Sequence, residues 1–115
     1  MSNPHLPRRD SHADFIESIQ QFVADGLAEL DAQERAWAER HIVEPRPIEV
    51  AVPDGGAEST ETMWLVTDFV GGDSEVYRIV YDPALTTFGL ISPGAHGRPV
   101  LIGLYGDFAE TVRGV

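Results

Sequence analysis

A chain of 115 residues, 43% apolar and 23% charged, has the size and composition of one folded domain. Nineteen acidic residues against eight basic ones give a net charge of −11, a field that repels phosphate backbones and anionic lipid, so nucleic acid and membrane surfaces are not expected partners. Cysteine is absent, which excludes disulfides, thiolate metal sites and cysteine nucleophiles, and all eight basic residues are arginine.

Residues 1–10 hold Pro4, Pro7, Arg8 and Arg9 without periodicity and read as a flexible tail, leaving 11–115 as a single domain. No apolar run reaches the roughly 20 residues that cross a bilayer, and no signal-peptide pattern follows the arginines, so a cytoplasmic location is expected. Ser11 as N-cap and Asp14 in the first turn open an amphipathic helix, with Phe15, Ile16, Ile19, Phe22, Val23, Leu27 and Leu30 at helical spacing. Gly26 weakens this helix by about 1 kcal/mol relative to alanine. Asp31 with Glu34 forms the pattern of a capping box, so the segment is either one long helix or two with a bend near Leu30. Pro45 and Pro47 are expected to stop it.

From Ile48 the apolar period becomes two, through Val50 and Val52, until Pro53-Asp54-Gly55-Gly56 marks a turn. Residues 62–70 and 75–81 are rich in strand formers and flank Gly71-Gly72-Asp73, the pattern of a hairpin. Asp82-Pro83 closes that run, residues 87–91 make a fourth strand, and 100–105 make a fifth after a loop holding Gly94, His96, Gly97 and Arg98. Connections this short favour antiparallel neighbours. Asp107 then caps a last helical turn through Phe108 and Val112. The expected fold is α+β: an N-terminal helix, bent or double, packed on a mainly antiparallel meander of about five strands, with a short C-terminal helix.

Motifs that would name a chemistry are missing. His5, His12, His41 and His96 are widely separated, and none shares the four-residue spacing of a zinc-binding helix, so no metal or cofactor is expected. His41 and Glu44 would share a face only if the helix reached that far. The glycine loop matches no phosphate-binding pattern, there is no G-x-S-x-G, and Asp68, Asp82 and Asp107 at strand ends read first as turn and cap residues. Trp64, Val66 and Asp68 alternate with Met63, Leu65, Thr67 and Phe69, so both faces of that strand carry large apolar groups. Such a strand is either covered on both sides or offers one face to a partner or a second copy of the chain.

Two functions compete on these observations. The first is a small acidic, non-enzymatic interaction domain, a regulator, inhibitor or immunity-like protein that binds a basic protein surface. The second is a small-ligand or simple acid/base domain with a pocket between sheet and helix. The candidate binding residues are Trp64, Asp68, Tyr77, Tyr105 and Asp107, and no catalytic residue is assigned.

Overall fold

The structure, a computed structural model, describes residues 6–54, 57–68, 77–94 and 98–115. The expected turns at Gly55-Gly56 and Gly71-Gly72-Asp73, together with His5, Phe69, His96 and Gly97, lie outside them. Helix α1 spans Leu6–Glu29 and α2 spans Ala32–Glu39. The helix therefore starts ahead of Ser11, because Pro7 sits in a first turn whose amide needs no intrahelical partner.

Between the two helices the chain breaks at Leu30 and Asp31, so the double-helix alternative holds. The Asp31 carboxylate accepts from Glu34 N at 2.7 Å, and Glu34 accepts from Asp31 N at 3.1 Å. Two guanidinium groups bind carbonyls at and just beyond the C-terminal end of α1. Arg35 donates to Leu27 O and Leu30 O, and Arg113 donates to Glu29 O at 3.0 Å.

Among the described residues five strands follow: β1 Ile42–Asp54, β2 Ala57–Thr67, β3 Arg78–Asp82, β4 Thr87–Ser92 and β5 Val100–Gly106. Consecutive strands pair antiparallel, and β1 meets β5 in parallel at the single position Ala51↔Val100, which closes the sheet into a barrel. The meander is thus as expected, and the parallel seam is an addition to it. β1 begins at Ile42 rather than Ile48 and runs through both prolines that were expected only to end the helix. Pro45 falls in a break of register between Ile42 and Arg46, and Pro47 pairs with Trp64 with its nitrogen turned away from β2, both positions where a strand tolerates proline.

The two faces of the sheet bury separate clusters. On the helix side, Ile19 and Val23 of α1 meet Val66, Ile79, Tyr81, Phe88 and Leu90. On the inner side, Val50, Met63, Leu65, Val80 and Ile91 fill the barrel. β2 is therefore covered on both faces, and its double apolar pattern is core packing, worth about 1.5–3 kcal/mol for each large side chain removed from water. Helix α3, Phe108–Arg113, packs on α1 through Phe108, Ala109 and Val112. Among the described residues no buried polar side-chain atom lacks a partner; the buried Thr67 hydroxyl, for example, accepts from Ile79 N at 2.9 Å.

Candidate functional site

The five residues singled out from the sequence fall in several places. Trp64 is half-buried against the helix-side core, edge-on to Phe15 with ring centroids 5.1 Å apart, and Tyr77 packs on the same core. Asp68 is exposed at the end of β2, where its carboxylate lies 2.8 Å from His41 Nδ1 and its N–H donates to His41 O at 2.8 Å. A carboxylate only accepts, which places a proton on Nδ1. His41 itself lies beyond α2, so it shares no helix face with Glu44. Tyr105 is exposed on β5.

Asp107 is the N-cap of α3, its carboxylate accepting from Glu110 N at 2.8 Å while Glu110 accepts from Asp107 N at 3.1 Å. Its first role is therefore structural. Asp107→Ala is expected to lower stability by about 1 kcal/mol, measured as a shift in the urea midpoint at unchanged m-value.

Asp107 also borders a groove of about 420 Å³ formed between α1, the β3–β4 turn and the β5–α3 junction. Helix α1 contributes Phe22, Asp25 and Glu29, spaced so that one helix face carries all three. The floor is aromatic. From the surface inwards, Phe22 lies 5.8 Å from Tyr81, Tyr81 5.1 Å from Phe88, and Phe88 5.6 Å from Phe108, centroid to centroid. Exposure falls along this row from 40% at Phe22 to 0% at Phe108, so only the first ring is open to a partner.

Three carboxylates, Asp25, Glu29 and Asp107, line the groove together with that ring, and among the described residues none that lines it is basic. The contrast lies in a cleft beside α2. Its lining, which includes Glu34, Trp37, Arg40 and Arg113, places a cation beside its acid, with Arg113 Nε 3.7 Å from Glu34 Oε2.

Thr86 lines the acidic groove with a φ of 50°, among the described residues the one non-glycine in the left-handed region. A β-branched residue there is strained by about 1–2 kcal/mol. Thr86→Asn is expected to raise stability by about 1 kcal/mol, read from thermal and urea unfolding, because asparagine tolerates this conformation.

Phe22 belongs to the apolar stripe expected of α1, whereas Asp25 and Glu29 match no binding motif in the sequence. The available signal was a carboxylate three and seven residues beyond an aromatic on one helix. Nothing local joins these residues to Tyr81 or Asp107. No protein-family model matches the chain, and no curated protein or solved structure matches it. No helix among the described residues is long and apolar enough to cross a membrane.

Proposed function

We propose that this protein is a cytoplasmic, non-enzymatic interaction domain, and that the groove beside α1 receives a basic amphipathic segment of a protein partner. The observation that carries this reading is a groove lined by the exposed Phe22 ring and by Asp25, Glu29 and Asp107, with no basic lining residue among the described ones. An apolar side chain of the partner would cover Phe22, and an arginine or lysine would meet the carboxylates or the ring face, a contact worth about 0.5–2 kcal/mol. The −11 charge of the chain adds long-range attraction that speeds encounter with a cationic partner.

The test is fluorescence anisotropy with a labelled peptide of alternating arginine and leucine, against wild type and the Asp25→Asn/Glu29→Gln double variant. Wild type is expected to bind, to weaken as salt rises, and to exceed the double variant by about tenfold. Equal affinity of the two proteins for the peptide would remove the groove from the proposal. Absence of binding at low salt would remove the basic partner itself.

A further inference from the structure

The opposite end of the barrel holds a second cleft, of about 470 Å³, between β1, β2 and β3. Its geometry follows from the register. Leu65 pairs with Arg46 on one side and with Val80 on the other, and Arg78 stands two residues before Val80. Alternation therefore puts Arg46, Leu65 and Arg78 on the same inner face of the sheet, with the two arginines on the strands flanking β2. Both line the cleft over an apolar floor of Val43 and Leu65. This is a concentration of cationic side chains in a chain with only eight, of which Arg35 and Arg113 are committed to the carbonyls of α1.

Two carboxylates share the cleft, Glu44 and Asp68. Asp68 is fixed: His41 holds one of its oxygens at 2.8 Å, and the Trp37 ring lies 5.3 Å from the imidazole. Glu44 belongs to the break of register in β1 between Ile42 and Arg46. Arg78 has interactions of its own within the protein. Glu44 and Arg46, by contrast, make no side-chain hydrogen bond or ion pair among the described residues, although they carry opposite charges, stand two residues apart and line the same cavity. An acid and a base that line one cavity without pairing are complementary to a ligand that carries both charges itself.

We propose that this cleft binds a free α-amino acid with an apolar side chain. The ligand carboxylate meets Arg46, with Arg78 adding to the local positive field. The ammonium lies between Glu44 and the Asp68 carboxylate that His41 orients, and the side chain rests on Val43 and Leu65. A cavity of this volume, with four charged side chains set around two apolar ones, is of the size that takes a small molecule. Charge-assisted hydrogen bonds at both ends give selectivity for the zwitterion over either half of it. This site is separate from the groove beside α1.

The experiment is isothermal titration of the full chain with leucine, valine, methionine and phenylalanine, followed by the amide and the N-acetyl derivative of whichever binds best. At least one free amino acid is expected to bind. Its amide, which lacks the carboxylate, and its N-acetyl form, which lacks the ammonium, are each expected to bind weaker by about tenfold or more. Arg46→Gln, an exposed substitution, is expected to abolish amino-acid binding while leaving the arginine–leucine peptide bound to the other groove, so failure of one site is distinguishable from failure of the other. Absence of heat with all four amino acids at millimolar concentration overturns the proposal. So does undiminished binding to Arg46→Gln, or equal binding of the amide or the N-acetyl form.

Discussion

Phe108→Ala is expected to cost about 3–5 kcal/mol, a large part of the 5–15 kcal/mol that typically holds a domain together. The side chain is fully buried and ends the aromatic row that begins at Phe22, with its ring 5.6 Å from Phe88 in a T-shaped contact. It is also the first residue of α3, so its removal opens a cavity at the junction of α3, α1 and the sheet. Collapse into that cavity is limited, because α3 is held in place by the Asp107 cap at one end and by the Arg113 bond to Glu29 O at the other. Equilibrium urea unfolding would measure the loss. A cost below about 1 kcal/mol would mean that the helix-side core does not depend on this ring.

The second expected result reverses a general rule. In an exposed helix, glycine to alanine stabilises by about 1 kcal/mol. At Gly26 of α1 a Cβ would lie 2.6 Å from Phe108 Cβ and 3.1 Å from Ala109 N. Neither neighbour is the end of a flexible side chain, so α3 would have to move away from α1. Overpacking of this kind costs about 1–3 kcal/mol. Gly26→Ala is therefore expected to lower the Tm by roughly 5–10 °C, where intrinsic propensity alone would raise it. The clash also makes a specific statement about coupling. Because the nearest atom is Phe108 Cβ, which alanine retains, Phe108→Ala should relieve only part of the Gly26→Ala cost. Thermal unfolding of both single variants and the double variant tests both points.

Features set by neighbours in sequence were legible. Asp31 with Glu34 and Asp107 ahead of Phe108 announced helix starts, because a capping carboxylate binds an amide three residues on. The last two strands were legible for the same reason, from alternation between turns. The start of β1 was not, since whether proline breaks a strand depends on which way its nitrogen faces, and that is fixed by pairing with β2. Gly26 was read as a weakness of α1; its reason is α3, more than 80 residues on. The acidic groove was illegible in the same sense, because Phe22, Tyr81 and Asp107 meet only once the sheet has curled under the helix.

Among the described residues the barrel closes at one pair, beside which Ala51 N donates to Pro99 O at 2.8 Å, and the rest of β1 and β5 there run as strand edges along the seam. Because β1 pairs with β2 without interruption from Arg46 to Asp54, the amides that point the same way as that of Ala51 belong to positions 47, 49 and 53. Two of these three are prolines and have no hydrogen to give. On the facing strand, the breaks of register with β4 leave Ile102 and Tyr105 as the extra residues of two bulges, which twist that edge out of the plane a neighbour would need. A barrel closed by so short a seam would otherwise be a template for chain after chain. Here both edges are shaped to refuse a sixth strand, which protects the chain from templated aggregation along the seam.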